Sequence, residues 1–183
     1  NANGERFGDE TTGYSEFAVK VIVQPEAQAW MIYDKAVHEK ALPFADYQQM
    51  VESGGIRWTD DVAGLASLIG CDEAAISATL EGIANFGSGA AVDPLGRTLW
   101  PHDLEPPFTA IKVTGALFHT QGGLSVNEHA NVLRGGKTIP GLYAAGGAAI
   151  GISGNGASGY LSGNGLLGAL GLGYLAGRAI GHG

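Results

Sequence analysis

Glycine and acidic residues divide this chain into two compositionally different parts. Seventeen of the 31 glycines lie from Gly135 onward, and all 18 acidic residues lie at or before Glu128. Glycine allows backbone conformations and close approaches that other residues prevent. Leu, Ile, Ala and Tyr stand between these glycines, and a solvated linker lacks such residues. We therefore expect an ordered tail whose backbone approaches another group closely.

The size and charge of the chain limit its function classes. With 183 residues and 45% hydrophobic residues it can form one globular domain or parts of two. The net charge of −8 offers no basic surface for a phosphate backbone, so nucleic acid is not an expected partner. The single cysteine, Cys71, excludes an internal disulfide and predicts a cytoplasmic location. No targeting peptide is visible, and the start at Asn1 predicts that the chain begins inside a longer protein.

The hydrophobic pattern of the first 107 residues predicts a strand, two helices and a long loop. The apolar run over residues 30–33 indicates a short buried strand. Asp60 and Asp72 each precede apolar residues at helical spacing, as capping residues do. Glycines and prolines over residues 85–107 indicate a loop that crosses between domains. We therefore place a domain boundary near residue 107.

The second part of the chain predicts strands, turns and one final helix, which makes the fold class α+β. A turn is expected at Gly135-Gly136, a buried strand that runs into a tight glycine turn over residues 140–147, and a helix over residues 164–180. Six glycines from Gly163 to Gly177 interrupt that last segment, which is short for a bilayer, so we expect no membrane span.

Two motif searches give negative expectations. The letters of residues 154–159 match the Gly-x-Gly-x-x-Gly dinucleotide fingerprint, but they do not open a βαβ unit and no acidic residue follows. We interpret them as a loop. No pair of histidines has metal-ligand spacing with other donors, so no metal site is predicted.

Six phrases, taken together and in order, carry a family resemblance. They are residues 4–10 (Gly-Glu-Arg-Phe-Gly-Asp-Glu), 30–34, 106–108, 119–123 (His-Thr-Gln-Gly-Gly), 139–146 and 159–164. This set resembles the C-terminal half of FAD-dependent oxidoreductases of the fumarate reductase and succinate dehydrogenase flavoprotein family. The resemblance covers essentially the whole chain.

The resemblance implies FAD as the cofactor and two incomplete domains. Residues 1–107 would be the end of the capping or substrate domain, and residues 108–183 would be the C-terminal strands and helix of the Rossmann-like FAD-binding domain. The N-terminal FAD-binding segment would be the partner that this chain lacks. The implied cofactor contacts are Gly146, Gly147, Ser162, Gly163, Asn164, Gly165 and Leu166. Gly147 occupies the position where the family commonly has an acidic residue, so the hydrogen bond from that residue to the ribose is not expected here.

The same resemblance implies a small-molecule substrate with a carbonyl or carboxylate group. His119, Thr120 and Glu10 would contact this substrate, with His119 holding a carbonyl or carboxylate oxygen. His38 and Tyr160 stand where fumarate reductases have two arginines. Because bidentate arginine is the usual holder of a carboxylate, their loss makes a dicarboxylate a poor substrate.

Tyr160 and Tyr14 instead resemble the tyrosine pair of flavin-dependent 3-ketosteroid dehydrogenases. In this reading Tyr160 and His119 polarise the substrate oxygen, and Tyr14 or His38 moves the proton. Core packing of both tyrosines is the alternative. Arg6 and Glu10 are either a structural ion pair or part of a proton path, and the sequence leaves both open.

The predicted function is hydride exchange between FAD and a carbon–carbon bond beside a carbonyl. The chain alone is expected to bind FAD weakly or not at all and to be inactive, because most contacts to the ADP part of FAD would lie elsewhere. A non-catalytic binding module that kept the fold without the cofactor is the alternative.

Overall fold

The structure is a computed structural model that describes residues 1–117 and 120–181. The chain forms two compact units, Asn1–Gly115 and Ala116–Gly183. Both units contain α-helices and β-strands, which confirms the predicted α+β class.

The first unit contains five helices and three strands among its described residues. In chain order they are α1 (Tyr14–Ile22), β1 (Gln28–Tyr33), α2 (Lys35–Ala41), α3 (Ala45–Glu52), β2 (Trp58–Thr59), α4 (Val62–Ile69), α5 (Glu73–Gly87) and β3 (Phe108–Thr114).

An antiparallel sheet of order β1-β3-β2 organises the first unit. Tyr33 of β1 and Trp58 of β2 both lie opposite Thr109 in the central strand β3. The strand predicted over residues 30–33 is thus part of β1. Because β3 pairs on both edges with strands of the first unit, the division between units lies after Gly115 rather than near residue 107.

The helices α4 and α5 form a hairpin whose ends are set by three local residues. Gly70 ends α4 with a φ of 82°, which glycine adopts without steric cost. Asp72 caps α5 as predicted, since its side chain accepts from Ala74 N at 2.8 Å. The residue that caps α4 is Asp61, which accepts from Gly64 N at 2.7 Å. The predicted cap Asp60 is wrong by one position, because the cap must directly precede the first helical residue, Val62.

This hairpin packs against β3 to form the core of the first unit. Leu65, Ile69 and Ile76 are buried, and Phe108 of β3 closes the cluster. Each such side chain contributes about 1.5–3 kcal/mol when it is fully removed from water.

The loop between α5 and β3 folds back within the first unit instead of crossing to the second. Asp93 in this loop binds Arg6 near the N-terminus, and Trp100 packs against Phe86 of α5. Long-range contacts that the local Gly and Pro pattern could not reveal therefore determine the path of the loop.

The second unit contains a two-stranded sheet and one long helix among its described residues. These are β4 (Asn131–Arg134), β5 (Lys137–Tyr143) and α6 (Asn164–Gly181). Gly135 and Gly136 join the strands with φ values of 58° and 78°, as a type I′ turn requires, so the predicted turn is confirmed. The strand predicted as buried over 140–147 ends at Tyr143 and is mostly exposed, since within the described residues it pairs with β4 alone.

Helix α6 is only partly covered in this chain. Leu172 packs against the core residues Val132, Ala144 and Ala149. The large apolar side chains that remain more than half exposed along α6 are Leu166, Leu167, Leu170, Tyr174 and Ile180. Among the described helices, none alone is long and apolar enough to cross a membrane, although α4 and α5 together pass by length and composition across a 115° bend.

The cap of α4 provides a test of the fold. We expect Asp61→Ala to lower the free energy of unfolding by about 0.5–2 kcal/mol, because Gly64 N loses its side-chain acceptor. Asp60→Ala is the matched control and should stay within about 0.5 kcal/mol of the wild type. Urea unfolding of the three proteins measures both values, and equal effects of the two changes would contradict the assignment of the cap.

Candidate functional site

A cavity of about 650 Å³ lies within the first unit. Its wall is mainly apolar, and its polar side chains include Glu10, Tyr14, Arg97 and His102. Tyr14 begins α1 and is 62% exposed. The structure thus brings two predicted site residues, Glu10 and Tyr14, into the wall of one cavity.

Four charged side chains form a neutral network beside this cavity. Arg6 binds Glu10 (Nε to Oε1, 2.7 Å) and Asp93 (Nη2 to Oδ2, 2.9 Å), and Arg97 also reaches Glu10 (Nη1 to Oε2, 3.2 Å). The Asp93 side chain is fully buried. The guanidinium carbons of Arg6 and Arg97 lie 5.0 and 4.2 Å from the centre of the Trp100 ring, within cation–π range.

The hydrogen bonds of this network keep its members charged. Burial would lower the pKa of Arg6, but bonds to Glu10 and Asp93 outweigh burial and raise it. Burial would likewise raise the pKa of Glu10, yet the bond from Arg6 leaves it lowered. The bond from Arg6 is the largest cause of the lowered pKa of Asp93. Glu10 and Arg6 form an ion pair, and both a part of this pair in a proton path and a role of Glu10 toward a substrate stay predictions.

His38 lies in an aromatic cluster beside the cavity. Its Nδ1 is 2.7 Å from the Tyr47 hydroxyl, which lies 2.9 Å from the Tyr33 hydroxyl, and its ring meets Trp58 edge to face. Burial, followed by the Tyr47 contact, raises the pKa of Tyr33. Tyr33 is the member of this cluster that lines the cavity, whereas His38 lies behind it on α2. The predicted proton-moving role of His38 stays a prediction.

His102 enters the cavity wall from the loop before β3. Its Nε2 lies 3.1 Å from Oδ2 of Asp34, a carboxylate whose side chain is only 5% exposed. Asp34 also caps α2 by accepting from Val37 N at 3.1 Å, and Glu105 N lies 3.4 Å from the same carboxylate. A buried, well-anchored carboxylate thus orients the His102 imidazole.

In the second unit, the predicted cofactor contacts lie at two glycine-rich turns. Gly146 and Gly147 follow β5 in a short 3₁₀ turn, where Gly146 has a φ of 57°. A Cβ at Gly146 would lie 3.3 Å from Cβ of Ala169 in α6, so this glycine allows the turn and helix to pack closely. A Cβ added at Gly147 would have no other atom within 4 Å.

The start of α6 combines backbone amides with little side-chain cover. Gly163 precedes the helix with a φ of 79°, and a Cβ there would meet no atom within 4 Å. Ser162, Gly163, Gly165 and Leu166 are exposed. Asn164 is buried, and its side chain donates to Leu161 O at 2.8 Å, which fixes the first turn. No acidic residue lies in that turn, so the partial positive charge of the helix start is not cancelled locally.

The remaining predicted residues fall in the second unit or outside the described residues. Tyr160 is half-buried and follows a short 3₁₀ turn, and Thr120 is exposed in a loop. The role of each stays a prediction, as does the pairing of Tyr160 with Tyr14 of the first unit. His119 lies outside the described residues. Gly154 N donates to Gly159 O at 2.7 Å, so the residues with fingerprint letters form a closed turn rather than the start of a helix.

Sequence reasoning missed Asp34, His102, Asp93 and Arg97. Asp34 and His102 are 68 residues apart, and Arg6 and Asp93 are 87 residues apart. Pairs at such separations leave no local periodicity or spacing. Within residues 1–117 and 120–181, no group of three or more His, Cys, Asp or Glu side chains is arranged to hold a metal ion.

Comparisons with known proteins place this chain among flavoproteins. A family model described as an FAD binding domain matches residues 1–166. A probable fumarate reductase of Shewanella frigidimarina is 30% identical over 158 residues, which are 84% of this chain and 26% of that protein. These matches confirm the resemblance seen in the sequence phrases.

Two solved structures are similar in fold. The open conformation of a flavocytochrome c3 fumarate reductase gives a TM-score of 0.76 at 28% identity, covering 97% of this chain and 31% of that one. A 3-ketosteroid-delta4-(5alpha)-dehydrogenase from Rhodococcus jostii, in complex with 4-androstene-3,17-dione, gives a TM-score of 0.58 at 27% identity, covering 95% of this chain and 36% of that one. The chain spans about a quarter to a third of the length of these relatives.

The buried pair of Arg6 and Asp93 gives a pH-dependent prediction. We expect Asp93→Asn to lower the free energy of unfolding by about 1–3 kcal/mol at pH 7, because Arg6 loses a charged acceptor. The pKa of Asp93 is lowered by folding. The contribution of ionised Asp93 to the free energy of unfolding is therefore complete above its pKa in the unfolded chain, about 3.9. It is lost as the pH falls through its lower pKa in the folded protein.

Urea unfolding between pH 7 and pH 2 measures this difference. The stability of the wild type and that of the variant should converge at the acidic end. Glu39→Gln, at an exposed position of α2, is the control and should stay within about 0.5 kcal/mol of the wild type. A pH-independent effect of Asp93→Asn would contradict the ionic origin of this stability.

Proposed function

This chain belongs to the FAD binding domain family, and from that premise we propose that the intact protein is an oxidoreductase moving a hydride between FAD and a carbon–carbon bond beside a carbonyl group. In this proposal the first unit belongs to the substrate domain and the second returns to the FAD-binding domain. The remaining FAD-binding segment is its partner, since the similar proteins are about three to four times longer than this chain.

The residues of the second unit fit the edge of a flavin. Gly147 and Gly163 leave open space where a side chain would stand, so their backbone can approach a planar ring. The first turn of α6 presents backbone N–H groups that have no acceptor inside the helix. The absence of acidic side chains there preserves a field that favours negative charge. FAD, when bound, supplies the hydride acceptor or donor.

The single observation that carries the substrate proposal is the state of the arginines beside the cavity. Both Arg6 and Arg97 line the cavity, and both are already bound to carboxylates of the chain. A dicarboxylate substrate needs a guanidinium that is not committed elsewhere. The mainly apolar wall and the phenol of Tyr14 suit instead a ring or chain that carries a carbonyl oxygen.

Within this proposal Tyr160 and Tyr14 have different roles toward the substrate. Tyr160 donates a hydrogen bond to the carbonyl oxygen, and a donor at that atom stabilises the negative charge that develops when the adjacent bond is reduced or oxidised. Tyr14 holds or moves the proton at the neighbouring carbon.

Flavin reoxidation in the intact protein tests this role of Tyr160. We expect cyclohex-2-enone to reoxidise the reduced flavin faster than fumarate does, and Tyr160→Phe to slow the enone reaction by about 100-fold. Anaerobic stopped-flow absorbance measures both rates. Tyr174→Phe, an exposed tyrosine on α6, is the control and should react within about twofold of the wild type. Equal rates for Tyr160→Phe and the wild type would end the carbonyl-polarising role.

A pair of glycines with the same backbone strain tests the flavin contact at α6. Gly163 and Gly136 have φ values of 79° and 78°, and a Cβ at either would meet no atom within 4 Å. Alanine therefore adds similar strain, about 1–2 kcal/mol, at both positions. We expect Gly163→Ala to weaken flavin affinity by about tenfold or more, because its methyl group would stand between the helix start and the ring.

Gly136→Ala should lower stability without this loss of flavin affinity, since the β4–β5 turn has no proposed flavin contact. Equilibrium flavin binding by the intact apoprotein, measured by fluorescence, separates the two effects. Equal affinities in the two variants would remove α6 from the flavin site.

A further inference from the structure

His102 has one ring nitrogen fixed by the protein. Nε2 lies 3.1 Å from the buried carboxylate of Asp34, so Nε2–H donates to Oδ2. The other nitrogen, Nδ1, makes no hydrogen bond among residues 1–117 and 120–181. Because a carboxylate partner fixes the tautomer and orientation of an imidazole, His102 presents a defined Nδ1 rather than a freely rotating ring.

Asp34 is held in place by more than His102. Its Oδ1 accepts from Val37 N at the start of α2, and Glu105 N approaches its Oδ2. These contacts fix the position of the carboxylate, and the carboxylate in turn fixes the orientation of the imidazole ring.

His102 lies in the wall of the first-unit cavity, where both arginines of the wall are already bound to carboxylates. Glu10 there is bound by Arg6 and Arg97, and Arg6 is also bound by Asp93. The cavity wall is otherwise mainly apolar. His102 is therefore one polar residue of the described wall whose second ring nitrogen retains capacity for a hydrogen bond from a ligand.

The geometry points to His102 as a substrate-binding residue that holds a second oxygen function of an apolar substrate, apart from the carbonyl beside the reacting bond. Its unprotonated Nδ1 accepts a hydrogen bond from a hydroxyl group of the substrate while Nε2–H remains on Asp34, and no covalent bond changes. This inference rests on the proposed function, because it assigns the first-unit cavity to the substrate. Asp34 acts through His102 and is a positioning residue.

The experiment uses the 183-residue chain without flavin and the probes cyclohexanol and cyclohexanone, which share a ring and differ in whether the oxygen carries a hydrogen. Side-chain ¹⁵N and ¹³C NMR follows the imidazoles during each titration. We expect cyclohexanol to shift the His102 resonances saturably, because its hydroxyl donates to Nδ1, and to bind more tightly than cyclohexanone, with His129 unchanged by either probe. His129 is the internal control, since it is 63% exposed in the second unit and its Nε2 lies 3.8 Å from a Glu128 carboxylate oxygen.

Three variants complete the test. His102→Gln should weaken binding of the effective probe by about tenfold or more, whereas His129→Gln should bind as the wild type does. Asp34→Asn keeps a side chain able to cap α2, but it removes the charge behind the imidazole. We therefore expect Asp34→Asn to weaken binding of the probe and to change the ¹⁵N shifts that report the tautomer of His102. Circular dichroism checks that each variant is folded.

Each result bears on one hypothesis. A saturable response of His102 to cyclohexanol that is lost in His102→Gln supports the inference. Equal shifts of His102 and His129, no shift with cyclohexanol, equal affinity for cyclohexanol and cyclohexanone, or wild-type affinity in His102→Gln would overturn it. Because no flavin or turnover enters these measurements, a failure of the proposed oxidoreductase activity would appear separately, in the intact protein.

Discussion

The buried bond between Arg6 and Asp93 is the interaction on which the first unit depends. It joins the N-terminal segment to a loop 87 residues away and leaves Asp93 without solvent. Isolated burial of either charge would cost several kcal/mol, so each is retained only with its partner. The same guanidinium also holds Glu10, and this second bond fixes one polar side of the cavity. A structural requirement and the chemistry of the candidate site thus share one side chain.

Local patterns explain which parts of the fold were predictable. The cap at Asp72 and the turn at Gly135-Gly136 depend on a few neighbouring residues, and the structure has both as expected. The cap of α4 is one residue from the prediction because Asp60 and Asp61 both suit the role, and only the starting residue of the helix decides between them. Burial of β5 could not be read from its apolar letters, since burial depends on neighbours outside the strand.

Some residues of the candidate site were likewise predictable from the sequence, and others were not. Glu10 lies in one of the family phrases and Tyr14 resembles a tyrosine of 3-ketosteroid dehydrogenases, and both line the cavity. FAD followed from the order of six phrases and agrees with the family match. His102 stood between prolines without any signal, because its meaning comes from Asp34, which is distant in sequence. Residues whose role arises from tertiary contacts become visible only when the chain is folded.

The exposed leucines of α6 have a practical consequence for anyone who handles this polypeptide alone. Leu166 and Leu170 each leave 74% of their surface in water on one long helix. Contiguous apolar surface of this kind drives association, since covering it releases about 25 cal/mol for each Å² removed from water. We therefore expect the isolated polypeptide to self-associate and aggregate at high concentration. Mild detergent or low protein concentration is the appropriate condition for its purification.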